Sequence, residues 1–171
     1  MVNGQLKKNR YMKNIVTLWL LLFAATLTMQ AQKAAVPAAP TAAQLSRLGL
    51  KGASLKPVRD GIWRVTQKGA AAGYVVDSTP FAADVRGFRG TTPVLVYIDK
   101  KQVVRKVLAL RNQETPEFFQ EAEGVLDAFA GQPVKKAGSA KVDVVTGATY
   151  SSRGLIGNVR AAVDAYRKFV K

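Results

Sequence analysis

Two apolar runs joined by a polar turn constrain the fold most. Pro93–Asp99 reads PVLVYID and Gln102–Leu110 reads QVVRKVLAL, with Asp99-Lys100-Lys101 between them. Dense β-branched and aliphatic residues broken by so short a turn specify a hairpin, and a hairpin commits the chain to antiparallel pairing. Gly61–Lys68 alternates loosely, with Ile62, Trp63 and Val65 apolar, and Gly73-Tyr74-Val75-Val76 begins another strand. Between that strand and the hairpin lies Phe81–Thr92, where Gly87 and Gly90 permit unusual backbone angles.

Helical signals follow the hairpin. Thr115 suits an N-cap, Pro116 the first helical position, and Glu117 the positive helix start. Phe118, Ala122, Val125, Leu126 and Phe129 then recur at helical spacing until Gly131 and Pro133 end the pattern. Val142–Val145 reads as a short strand. A final helix is expected from about Ser151 to Phe169, with Leu155, Ile156, Val159, Val163, Tyr166 and Val170 on one face. The expected class is α+β: a largely antiparallel sheet packed against helices, with a C-terminal helix after a small-residue turn. No internal repeat is visible.

At 171 residues and 48% hydrophobic content, the chain is long enough for one core. It has neither Cys nor His. Disulfides, thiolate zinc sites, His-ligated haem and triads with a His base are therefore excluded. Chemistry must run on carboxylates, hydroxyls, backbone amides or an added cofactor. The 26 basic and 11 acidic residues give a net charge of +15. The basic residues are scattered in pairs such as Lys7-Lys8, Arg105-Lys106 and Lys135-Lys136, without a long run or an interleaved aromatic stripe. That distribution argues against nucleic acid and for anionic partners or membranes.

Ile15–Leu27 is an uncharged apolar run preceded by Lys7, Lys8, Arg10 and Lys13. A basic flank, a short apolar core and small polar residues afterwards make residues 1–32 a signal peptide or an N-terminal anchor, with Met29–Gln32 an imperfect cleavage region. The expected location is exported: periplasmic, or on the outer face of the cytoplasmic membrane. Residues 33–60 read as an Ala/Pro-rich linker and lead-in, and 61–171 as the folded domain. Removing the first 32 residues leaves 22 basic against 11 acidic residues, or +11.

The segment Thr146-Gly147-Ala148-Thr149-Tyr150-Ser151-Ser152 carries the candidate chemistry. Its small residues let a ligand approach the backbone, its hydroxyls stand ready, and the helix start behind them offers free N–H groups and partial positive charge. That combination holds phosphate. A plain helix cap made by Ser151 or Ser152 accounts for the same residues without a ligand. The Gly-Lys-Ser/Thr ending of a Walker loop is absent.

Asp143-Val144-Val145-Thr146-Gly147-Ala148-Thr149 resembles the Asp-x-x-Ser/Thr-Gly-Ala-Thr flavinylation signature of FMN-binding domains. Such domains occur in the Rnf electron-transport complex and in the sodium-translocating NADH:quinone reductase. The likeness extends from about Trp63 to the C-terminus through Gly73-Tyr74, the glycine-containing stretch and Asn112-Gln113-Glu114-Thr115-Pro116. One stretch departs from the pattern: Glu117-Phe118-Phe119 stands where many relatives have Gly and then a Leu-Gly pair.

The resemblance implies FMN joined covalently, through a phosphoester, to Thr149. It also implies a Mg²⁺-dependent FMN transferase that uses FAD as donor; Asp143 is either read by that transferase, used near its metal, or an ordinary polar residue at a strand start. Glu114 and Thr115 resemble the family's flavin-side loop, and Thr115 is equally a competent helix cap. Arg153 is either a contact to the phosphodiester or a solvated residue. Tyr74 and Tyr150 are expected to pack in the core rather than on the flavin, and Gly73, Gly87 and Gly90 to serve turns.

The expected function is an exported flavoprotein relaying electrons between donor and acceptor proteins, some of them membrane-bound. No acid–base pair for handling a substrate is visible, so a carrier is favoured over a complete enzyme. The competing expectations are a secreted flavoenzyme that reduces a small acceptor, a non-flavinylated binding module, and a binder of anionic polymers or membrane surfaces.

Overall fold

The computed structural model describes residues 37–170. The apolar run Ile15–Leu27 and the expected cleavage region lie outside the described residues. Among those described, no helix is long and apolar enough to cross a membrane.

The architecture is α+β, as expected. A short helix α1 (Ala42–Arg47) leads into five strands: β1 (Ser54–Arg59), β2 (Ile62–Gln67), β3 (Ala70–Asp77), β4 (Val94–Asp99) and β5 (Val104–Ala109). They pair in sequence order, every neighbour antiparallel. The expected hairpin is β4–β5, with Leu95 opposite Leu108 and Val96 opposite Val107. Asp99 builds its turn by accepting from the amides of Lys101 (2.8 Å) and Val103 (3.0 Å) and from Arg105 Nε (2.5 Å). Gly73 sits at a bulge with φ +146°, where an added Cβ would lie 2.1 Å from the Ile98 carbonyl oxygen. This glycine serves strand pairing rather than a ligand.

Strand alternation sorts the core into two layers. Ile62, Val76, Val94, Val96, Ile98 and Val104 face the helices. Val65, Val75, Leu95 and Leu108 face the other way and are covered by Leu45, Leu48 and Leu50. The lead-in therefore carries part of the fold: α1, β1 and the covering leucines Leu45, Leu48 and Leu50 all precede residue 61. Thr41 and Gln44 form a reciprocal capping box on α1, with bonds of 3.2 and 2.8 Å.

Three elements differ from expectation. The helix expected to run through Phe129 is α-helical only over α2 (Pro116–Glu123), then tightens to a 3-10 helix over Gly124–Phe129. Gly124, a poor helix former, stands at the change. A short helix α3 (Val134–Ala137) follows. Val142–Val145 is not a strand: it has no sheet neighbour, and it crosses to the last helix with Val142 and Val145 packed on the helical core. That helix, α4 (Thr149–Phe169), begins earlier than expected. Its face of Leu155, Ile156, Val159, Val163 and Tyr166 is buried as expected.

Candidate functional site

The site forms where the start of α4 meets two loops. Gly147 adopts φ +88°, so the chain turns sharply into Ala148, which precedes the first helical residue, Thr149. No side chain caps this helix. The amides of Thr149, Tyr150 and Ser151 therefore lack intrahelical acceptors and carry the positive end of a 21-residue helix. The Thr149 hydroxyl is half-buried and donates to the Val145 carbonyl at 3.4 Å, a long contact.

Glu114 organises the opposite wall. It is 8% exposed, yet its carboxylate accepts from the amides of Phe88 (3.0 Å), Arg89 (2.7 Å) and Gly90 (3.2 Å), and from the Ser151 hydroxyl. Three successive amides curling round a carboxylate make an anion nest. Burial works to raise the pKa of Glu114, but the Ser151 hydroxyl and the three amides outweigh it and hold the group ionised below its usual range. Gly87 is required here, since a Cβ would lie 2.9 Å from the Glu114 carboxyl carbon.

The same loop rests on α4 itself. A Cβ at Gly154 would meet Thr92 Oγ1 at 2.6 Å and the Gly87 amide nitrogen at 2.8 Å. Asn158, also buried, accepts from Ser78 Oγ (2.6 Å), which in turn accepts from the Val94 amide (2.9 Å). The helix is thus fixed to the sheet within three turns of its start.

Between these walls lies a cleft of 170 Å³ lined by Glu114, Thr115, Gly147, Ala148 and Ser151 together with three aromatic rings, Phe88, Phe118 and Tyr150. The rings are exposed by 71%, 52% and 62%. Phe88 and Tyr150 lie with centroids 6.0 Å apart. Thr115 has the backbone of an N-cap without the side-chain bond, so its hydroxyl is not committed to the helix.

The structure therefore brings together Glu114, Thr115, Gly147, Ala148, Tyr150 and Ser151 from two distant segments, with Thr149 between Ala148 and Tyr150. Asp143 and Thr146 are exposed and do not line the cleft, and Arg153 is exposed on the helix. Ser152 is fully buried and accepts from the Val145 amide at 3.2 Å, bracing the turn. Tyr74 packs edge-on against Tyr166 at 5.6 Å, as core packing requires, whereas Tyr150 lies open at the cleft. Phe118, placed by periodicity on the core face, also turns to the cleft.

Sequence reasoning missed Phe88. The signal was a large apolar residue inside the polar Gly87-Phe88-Arg89-Gly90 turn, where no periodicity called for one.

Comparison with known proteins points to the same region. Residues 87–164 match the family model of the FMN-binding domain. The matched stretch contains both walls of the cleft. The chain is also 27% identical over 114 residues to a protein of Acetobacterium woodii that is named as a subunit of the Na(+)-translocating ferredoxin:NAD(+) oxidoreductase complex. That match takes in 60% of this chain and 53% of the relative, so the chain spans about half the length of the curated relative it matches.

Proposed function

The chain belongs to the FMN-binding domain family, and on that premise we propose that it holds FMN at the cleft through a phosphoester to Thr149 and relays electrons between redox proteins outside the cytoplasmic membrane. The observation that carries this reading is the uncapped start of α4: a half-buried threonine hydroxyl, three free amides and an aromatic-walled cleft at one point.

These residues fit the group. A phosphodiester is an anion, and the first-turn amides of Thr149, Tyr150 and Ser151 with the helix dipole suit it. Phe88, Phe118 and Tyr150 offer flat apolar surface to a ring system. The Glu114 carboxylate is already engaged by four donors and fixes the loop. When bound, FMN supplies the redox chemistry, while the protein sets its position and potential.

Thr149 needs outside help to become the attachment point. A threonine hydroxyl is a weak nucleophile at neutral pH. The chain has no His or Cys to act as base, and Glu114 is committed elsewhere. A Mg²⁺-dependent transferase with FAD as donor completes the chemistry. The Thr149 oxygen–phosphorus bond forms, the FAD pyrophosphate bond breaks, AMP leaves, and the hydroxyl proton passes to a base of the transferase. Exposed Asp143 is accessible for that enzyme to read.

Export rests on the basic flank and apolar run up to Leu27. A covalent link suits that location, because flavin lost by dissociation would be diluted away. The relative is named as part of a ferredoxin:NAD(+) oxidoreductase complex, which supports redox proteins as the partners.

Intact mass tests the reading. The protein is co-expressed with an FMN transferase beside Thr149→Val. An FMN-sized increase and yellow colour in the parent alone are expected. No increase in either, with the transferase active on another target, sinks the proposal in favour of a flavin-free binding module.

A further inference from the structure

A second feature adjoins the cleft. Arg86, Arg89 and Arg111 line a groove beside Asn112 and Gln113. All three guanidinium side chains belong to exposed residues. Among the described residues the ion pairs are Arg105–Asp99 and Arg167–Asp164, so this trio has no acidic partner there. Residues 1–36 contain neither Asp nor Glu and bring no side-chain carboxylate to it. Three like charges held along one groove without compensation repel one another and favour an anionic occupant.

We propose that this groove docks the acidic face of a redox protein, placing it beside the cleft for electron exchange. The electron-exchange part rests on the flavin reading above; the docking part stands without it.

Three observations select a protein surface. The guanidinium groups are exposed and converge on no buried polar anchor, so each contact is weak alone and affinity must come from several carboxylates arriving together. Arginine presents a planar fork that matches a carboxylate with two parallel bonds. The surface is concave, which admits projecting acidic side chains better than the flat face of a bilayer.

The groove and the cleft also share their framework. The Arg89 side chain lines the groove while its amide donates to Glu114 at 2.7 Å. The preceding residue, Phe88, lines the cleft. On the other segment of this frame, Arg111, Asn112 and Gln113 line the groove and Glu114 and Thr115 the cleft. The groove and the cleft therefore meet at adjoining residues on both segments, Arg89 beside Phe88 and Gln113 beside Glu114.

The test uses the full chain and a 2Fe–2S ferredoxin as an acidic one-electron probe. The variant carries Arg86→Gln, Arg89→Gln and Arg111→Gln, all exposed side chains; the control carries Lys51→Gln, Lys56→Gln and Lys100→Gln, an equal loss of charge elsewhere. Ferredoxin affinity is measured with and without flavin, and stopped-flow reduction of the flavin-loaded protein by reduced ferredoxin is followed at several salt concentrations. The arginine variant is expected to lose about tenfold or more in affinity and bimolecular rate at low salt and to flatten the salt dependence. The lysine control and reduction by dithionite are expected to stay near the parent.

Equal losses in the two triple variants, or none in either, overturn the proposal. So does arginine-dependent binding of ATP or of phosphatidylglycerol vesicles that ferredoxin fails to displace. Arginine-dependent ferredoxin binding by a protein that never acquires flavin absorbance supports the docking surface while sinking the flavin reading.

Discussion

The Ser151 hydroxyl donates to the carboxylate of Glu114 across 37 residues of sequence, joining the first turn of α4 to the loop that precedes α2. The same carboxylate gathers three amides from a third segment. One side chain thus holds together every wall of the cleft, and its removal separates effects on the cleft from effects on the sheet.

Glu114→Gln is expected to cost about 2 kcal/mol, because a neutral amide replaces charge-assisted bonds and brings its own donors among donors. The pH dependence has a definite sign. The folded-state pKa of Glu114 lies below its usual range, so its stabilisation is full above that range and is lost as pH falls through the depressed value. Urea unfolding of parent and variant should differ most at neutral pH and converge in acid. A gap that persists undiminished at low pH would contradict the carboxylate's role.

Gly154→Ala is expected to destabilise although alanine is the better helix former. Propensity favours the change by at most about 1 kcal/mol. The new Cβ would stand 2.6 Å from Thr92 Oγ1 and 2.8 Å from a backbone nitrogen, and overpacking of this kind costs about 1–3 kcal/mol. A lower melting temperature, as the Gly87–Gly90 loop is pushed away, is the expected result. A higher one would show that the loop yields freely.

Leu50→Ala addresses the lead-in. Leu50 is 1% exposed and packs with Leu45 and Leu48 on the far face of the sheet. A loss of about 2–5 kcal/mol is expected, as for a buried leucine. Denaturant midpoints settle the matter: a change under about 0.5 kcal/mol, which is what surface substitutions give, would mean that residues before β1 are dispensable.

Phe118→Ala and Tyr150→Ala should leave stability within about 0.5 kcal/mol, since both rings are largely exposed. Their effect should appear in the flavin instead, as brighter fluorescence and a shifted visible spectrum where ring contacts are lost. Unchanged spectra in both variants would remove these rings from the flavin environment.

The sheet was legible because its strands are short runs with an apolar face and polar turns; PVLVYID needs no partner to announce itself. The last helix was legible from its 3.6-residue period. Val142–Val145 misled because β-branched residues mark a strand only where a neighbour exists to pair with, and an isolated sequence does not show neighbours. The lead-in was hidden by its Ala and Pro content, although Thr41 and Gln44 carry the spacing of a capping box. Within the site, the small-residue turn could be read directly. The convergence of Glu114, Phe88 and Ser151 could not, because it is a property of three segments meeting in space. Phe118 shows the limit of periodicity most plainly: its spacing fits the core stripe, but its place at the first turn of α2 carries it past the core's edge.

The strictly sequential order of the sheet bears on how the molecule assembles. Every strand neighbour is the next in the chain, and apart from the connection of residues 78–93 the sheet closes only short turns; such local topologies form quickly. The Glu114–Ser151 link spans far more chain and has to wait for α4 to dock. Folding on this plan has a late, separable step, after which the sheet is little changed but the cleft exists. An immature chain would thus show native strands to a spectrometer while offering a ligand no finished place to bind.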